Sequence, residues 1–219
     1  MITSVSNPKV KNICALLSKK KTRDEEGCFV IEGRKPVLEA IESDLEVTEV
    51  YLSETFANEG SKAEDFGGNC EIVSDKVFEK LSQTVTPQGV AAVVRQPAYD
   101  LEKLMDAGAK RFLILEDIRD PGNLGTMVRT AEAAGIDCVI MTVGTVDIFN
   151  PKVIRSTMGS VLRVPFVYVR NLKETFERLK GRGVRIYGTS LASSVDYREA
   201  DLSGSVGIVI GNEASGMSP

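Results

Sequence analysis

Five short apolar runs in the C-terminal half place the tightest limit on the fold. They are "RFLILEDI" (111–118), "IDCVIMT" (136–142), "VPFVYV" (164–169), "VRIYGTS" (184–190) and "VGIVIGNE" (206–213). A strand with one face in water alternates apolar and polar residues. These runs are continuous, which is the mark of strands buried on both faces of a parallel sheet. Stretches of helical spacing separate them: "GTMVRTAEAAG", stopped by Gly135, "NPKVIRSTMGS" (150–160) and "NLKETFERLKGRG". Asn150 precedes Pro151, and Asn171 and Glu174 have capping-box spacing. The alternation predicts an α/β fold with a doubly wound parallel sheet.

Ligands of such sheets bind at the carboxyl ends of the strands. Three glycine-bearing polar loops fall there: "RDPGNLG" (119–125), "GTSLASS" (188–194) and "GNEASG" (211–216). None is a G-x-G-x-x-G or a P-loop, so ordinary dinucleotide and nucleoside-triphosphate sites lack their fingerprint.

The first half reads as a smaller α/β layer. "PKVKNICALLSKKK" is helical, opened by Asn7 and Pro8. "CFVIEG", "VTEVYLS", "CEIVS" and "GVAAVVRQ" read as strands, and "RKPVLEAIES" (34–43) and "DKVFEKLSQ" (75–83) as helices, the second capped by Asp75. "ANEGSKAEDFGGN" (57–69) is the most loop-like stretch, and "QPAYDLEKLMDAGAK" (96–110) is the connection. Two domains are expected, 1–97 and 98–219.

Composition excludes several chemistries. There is no histidine, which removes His-dependent triads, histidine bases and His-ligated metals together. Cys14, Cys28, Cys70 and Cys138 form no C-x-x-C pair, so no metal site and no disulfide framework is expected. No apolar run approaches the ~18 residues of a membrane helix and nothing reads as a signal peptide, so the expected location is cytoplasmic, without membrane partners. Net charge is −4, yet residues 1–23 hold Lys9, Lys11, Lys19, Lys20, Lys21 and Arg23 and no acid. Such a segment is either a basic arm for phosphates or a solvated face.

The loop residues carry a resemblance. "NLGTMVRTAEAAG" resembles the first signature, Asn-x-Gly-x-x-x-Arg-Thr-Ala, of the SpoU/TrmH family of RNA 2′-O-ribose methyltransferases. "RSTMGSVLRVP" (155–165) is similar to its middle segment, with Thr157 where serine is usual, and "VIGNEASGM" (209–217) to its second signature, Gly-Asn-Glu-x-x-Gly. "FVIEGRKPVLEAI" (29–41) and "QGVAAVV" (88–94) resemble the RNA substrate-binding domain of these enzymes. The family's third signature has no counterpart before Pro219, so the chain reads as a fragment, truncated at the C-terminus and by itself inactive.

The resemblance implies an N-terminal RNA-binding domain and a SPOUT methyltransferase domain of trefoil-knot type, a homodimer when complete. It implies methyl transfer from S-adenosyl-L-methionine to a ribose 2′-hydroxyl of RNA, ribosomal before transfer. A noncatalytic RNA-binding protein on the same scaffold, and methylation of a group other than ribose, are the competing readings. Arg129, Asn123 and Glu213 are the implied catalytic residues. Arg129 serves as proton acceptor, as stabiliser of the developing alkoxide or as a phosphate clamp. The plain alternative is a surface pair with Glu132. Asn123 is expected to cap its helix and to orient Arg129 or the ribose. Glu213 is expected to accept from substrate hydroxyls or Arg129, or to form a fold-internal ion pair. Thr189, Ser190, Gly211, Asn212 and Gly216 are the expected donor-binding residues, the two glycines for close backbone approach. Lys19, Lys20, Lys21, Arg23 and Arg155 are the expected RNA contacts.

Overall fold

The computed structural model describes residues 1–58, 63–66, 70–190 and 196–218. They form two compact units, 1–97 with 149–162 and 98–148 with 163–219.

In the first unit, α1 (Pro8–Ser18) starts as its sequence dictates: Asn7 Oδ1 accepts from Lys9 N at 2.9 Å, and Pro8 needs no partner at the first position. The helix does not run on to residue 21 as expected. Lys19 is extended (φ −123°, ψ 116°), and a second helix, α2 (Lys20–Glu26), follows and closes on Gly27 in the left-handed region. Then come β1 (Cys28–Glu32), α3 (Arg34–Glu42), β2 (Val47–Ser53) and α4 (Glu54–Asn58). After a 3₁₀ turn at Ala63–Phe66 follow β3 (Cys70–Val73), α5 (Asp75–Leu81) and β4 (Val90–Arg95). The stretch 57–69, expected as loop, thus contains the end of α4 and this turn; residues 59–62 and 67–69 lie outside the described residues. The cap of α5 is Ser74 and not Asp75, whose carboxylate instead accepts from Thr55 N at 3.0 Å and Thr55 Oγ1 at 2.7 Å. The strand order is β1-β4-β2-β3, antiparallel except for β2 with β3. Period-two alternation divides the core. Cys28, Val30, Tyr51 and Val93 pack with α1 and α5. On the other face, α3 and residues of 149–162 cover the sheet, and the rings of Phe29 and Phe149 lie 4.6 Å apart.

The second unit opens with α6 (Leu101–Asp106), capped by Asp100. It continues with β5 (Arg111–Leu115), α7 (Pro121–Ala133) and β6 (Cys138–Thr142). The next helix, α8 (Pro151–Thr157), belongs to the first unit and is followed by a 3₁₀ turn, Ser160–Leu162. Then come β7 (Phe166–Val169), α9 (Leu172–Gly181), β8 (Arg185–Gly188) and β9 (Val206–Ile210). All five strands are parallel, in the order β7-β6-β5-β9-β8. Phe112, Ile114, Cys138, Ile140, Val167 and Val209 face α6 and α9. The chain winds outward from β5 to β7, crosses to the far edge and returns as β9 beside β5. The loops after β5 and β9 therefore meet where the winding reverses, the usual place for a ligand. Among the described residues no helix is long and apolar enough to cross a membrane.

Candidate active site

The turn after β5 and the loop after β9 are tied by one carboxylate. Glu213 accepts from Arg119 N at 3.2 Å, Asp120 N at 3.1 Å and Asn123 Nδ2 at 3.1 Å. These donors crowd the N-terminus of α7, where unpaired N–H groups and the helix dipole favour negative charge. Burial alone would raise the Glu213 carboxyl. Its own backbone N–H, the Asn123 amide and the N–H groups of Arg119 and Asp120 outweigh that and pull it down to about 2. The ion-pair alternative is not what holds Glu213. Its partners among the described residues are neutral N–H groups.

Asn123 does not cap α7. The cap is Asp120, whose Oδ1 accepts from Asn123 N at 2.8 Å, with Pro121 at the first helical position. The Asp-Pro pair is itself the signal: a carboxylate for the orphan N–H groups, then a residue without one. Displaced into the first turn, Asn123 has its side chain available for Glu213.

Arg129 is exposed on α7. Among the described residues it has no hydrogen-bond or ion-pair partner. The surface pair with Glu132 is not made, because Glu132 takes Arg163 from the segment before β7, with Arg163 Nη2 at 3.1 Å.

Residues that sequence reasoning missed brace this turn. Asp117 has φ 54°, its N–H donates to Thr142 Oγ1 at 2.8 Å, and Thr142 Oγ1 donates back to its carboxylate at 2.7 Å. A side chain at Gly144 would overlap that carboxylate. Asn212 Nδ2 donates to Asp117 O at 2.7 Å, and Ser218 N to Glu116 Oε2 at 3.0 Å. Nothing in their local sequence marks these contacts, which cross about 25 to 102 positions of chain.

The expected donor residues divide. Asn212 Oδ1 accepts from Ala214 N, Ser215 N and Ser215 Oγ, so this side chain builds its own loop. At Gly211 a Cβ would lie 2.3 Å from Gly216 C and Met217 N, so the chain's own return already requires glycine there. Gly216, with φ 72°, has open space on that side. Met217 packs onto Gly188, which brings the end of β8 beside this loop. Thr189 Oγ1 donates to Val209 O at 3.0 Å, so its hydroxyl is engaged with β9. Ser190 is exposed at the same edge, and 191–194 lie outside the described residues.

The expected RNA contacts also divide. Lys19, Lys20 and Lys21 are exposed, and the latter two meet Asp24 and Glu25 one turn on along α2. Arg23 is only 3% exposed, and its Nη1 donates to Leu16 O, one of the last carbonyls of α1. It holds the break between two helices and presents nothing to a phosphate. Arg155 is exposed, with Nη1 3.4 Å from the neutral Gln83 Oε1.

A sequence profile of the SpoU rRNA Methylase family matches residues 110–219, half of the chain, and a profile of the MRM3-like substrate binding domain matches 7–92. This chain belongs to the SpoU rRNA methylase family. A family relative, the 23S rRNA (guanosine(2553)-2′-O)-methyltransferase RlmP of Bacillus subtilis, is 39% identical over 99% of this chain and 84% of its own. Among solved structures, an AdoMet-bound rRNA methyltransferase from Sinorhizobium meliloti superposes with a TM-score of 0.84 at 35% identity, over 99% of this chain and 82% of that one. The SpoU methyltransferase AviRb from Streptomyces viridochromogenes, in complex with AdoMet, gives a TM-score of 0.86 at 26% identity, over 97% and 83%. The second unit thus has the parallel-sheet SPOUT methyltransferase fold, joined to an N-terminal substrate-binding domain.

Proposed function

We propose that the protein to which this chain belongs transfers the methyl group of S-adenosyl-L-methionine to a ribose 2′-hydroxyl of ribosomal RNA, with Arg129 acting on the reacting groups and Asn123 and Glu213 positioning them. The family is one of RNA 2′-O-ribose methyltransferases, and the relative that acts on 23S rRNA favours ribosomal over transfer RNA. One observation carries the site assignment. An exposed arginine without a partner among the described residues stands on the helix whose entrance Glu213 clamps.

The donor supplies a methyl group on a sulfonium, open to in-line displacement. Glu116, Asp117, Asp120 and Glu213 outnumber Arg119 and Arg129 along this edge, an excess of negative charge that suits a cation. The open side of Gly216 and the Thr189–Ser190 end of β8 are where the donor is proposed to rest. As the new O–CH3 bond forms, the S–CH3 bond breaks and S-adenosylhomocysteine leaves, while the 2′-hydroxyl gives up its proton to solvent water. A guanidinium with a pKa above ~12 is a poor base, so Arg129 is assigned to stabilise the developing alkoxide or hold the adjacent phosphate with its planar fork. Glu213, at about 2, is too weakly basic for the proton and serves as an anchor. Residues 1–97 are the proposed RNA substrate-binding domain and 98–219 the methyltransferase domain. Pairing of two copies and a cytoplasmic location belong to the same proposal, the pairing to be read from mass by light scattering.

The test is transfer of labelled methyl from S-adenosylmethionine to 23S rRNA, with the modified nucleotide mapped. A wild-type protein that binds the donor and labels no RNA overturns the proposal.

A further inference from the structure

We infer that a cavity within the first unit is a subsite for one unstacked nucleobase of the RNA, an inference that rests on the RNA methyltransferase reading. The cavity holds about 300 Å³, at the lower end of the ~300–1,000 Å³ of small-molecule sites. Three segments far apart in sequence build it: the β1–α3 turn, the residues before β4, and α8 with the 3₁₀ turn after it. Ile31, Ile154 and Val161 make its floor apolar, and Pro36 and Met158 stand among its walls.

Met158 is the first sign of an external occupant. Its side chain is 69% exposed, and its backbone sits at φ 53°, a region that favours glycine. The left-handed residue that ends α8 is thus a long apolar one, although a glycine, Gly159, follows directly. The strained backbone holds this apolar side chain at the mouth of the cavity, where it can close over an occupant.

The second feature is an exposed, oriented amide at the mouth of the cavity. Gln88 Oε1 accepts from Arg34 N at 2.9 Å, which fixes the carboxamide at the lip. Its Nε2 has no partner among the described residues and offers two N–H donors. The charges fit as well. Among the described residues Arg155 meets the neutral Gln83, so its charge is available at the rim, and Lys35 adds a second cation there, paired to Glu39 at 3.7 Å. Glu32, the other acid here, is already engaged by the hydroxyls of Ser82 and Thr84.

A flat apolar ring with hydrogen-bonding edges and an attached phosphate matches all three features. Apolar side chains sandwich unstacked bases, and sequence-specific RNA recognition targets bases splayed out of loops. The base slides between the aliphatic walls under Met158, Gln88 Nε2 donates to an acceptor on its edge, and Arg155 and Lys35 take the flanking phosphate.

The probe is a synthetic RNA hairpin carrying the 23S rRNA segment around the guanosine named for the Bacillus subtilis relative. Each nucleotide is replaced in turn by an abasic one, and equilibrium binding is measured to wild type, Met158→Gly and Met158→Leu. In wild type, one abasic position should weaken binding about 10-fold, as loss of a stacked base does. Met158→Gly should weaken the intact hairpin by a similar factor and abolish the effect of that position, whereas Met158→Leu retains both. Met158→Gly should also melt higher than wild type, because the strain is gone. A merely structural Met158 would lower melting and binding together. Additive effects at every position overturn the subsite. Methyl transfer is scored separately. Transfer without coupling sinks the subsite and leaves the methyltransferase reading standing; coupling without transfer does the reverse.

Discussion

Asn123 Nδ2 donates to Glu213 Oε1 at 3.1 Å, across 90 positions of chain. The bond joins the two signature loops, one after β5 and one after β9, at the point where the sheet reverses its winding. Both side chains are exposed, so the bond contributes little stability. Its effect is geometric: with the N–H groups of Arg119 and Asp120 it fixes the entrance of the helix that carries Arg129.

Arg129→Ala should reduce methyl transfer by at least ~10²-fold, the scale of losing a group aimed at developing charge. Donor affinity measured by calorimetry should change little. Arg129→Lys should fail to restore activity, since an ammonium lacks the bidentate fork. Near-normal turnover in either variant rejects the assignment.

The Glu213 carboxyl is held at about 2, down from an ordinary 4.5. A depressed carboxyl contributes stability above its unfolded value and loses it as pH falls through the folded one. Glu213→Gln should therefore lower the melting temperature modestly at pH 7, and the gap to wild type should close between pH 4.5 and pH 2. A gap that stays constant down to pH 2 contradicts the clamp.

Gly211 and Gly216 should respond differently to alanine. At Gly211 the new methyl meets backbone atoms of Gly216 and Met217 at 2.3 Å, so the loop must move; a cost of about 1–3 kcal/mol and loss of activity are expected. At Gly216 space is open and only the left-handed backbone opposes the change, at about 1–2 kcal/mol. Denaturant unfolding of both variants, with donor binding, separates a loop-internal glycine from one proposed to face the donor.

Lys19, Lys20 and Lys21 together changed to Gln should flatten the salt dependence of RNA binding, by about 0.7 for each single-strand phosphate that is no longer neutralised. Arg23→Ala should leave that slope unchanged and instead destabilise the fold by about 1–3 kcal/mol, since Leu16 O loses its buried donor. An unchanged slope in the triple variant returns the lysines to solvated surface, with Lys20 and Lys21 paired to Asp24 and Glu25.

Much was determined by the sequence itself. Continuous apolar runs declared strands buried on both faces, and Asn7-Pro8 and Asn150-Pro151 declared helix starts, because caps and strand burial depend on neighbours a few positions away. The signatures around Asn123, Arg129 and Glu213 likewise named a family. What those residues touch is another matter. Asn123 lost its capping role to Asp120, Arg23 turned inward to Leu16, and Gly211 made room for the returning chain. Each outcome depends on a partner brought near by folding: Glu213 for Asn123, the end of α1 for Arg23, the return of the loop at Gly216–Met217 for Gly211. Hydrogen-bond geometry and steric overlap act through space at about 3 Å, so only the tertiary structure decides which side chains are left facing outward.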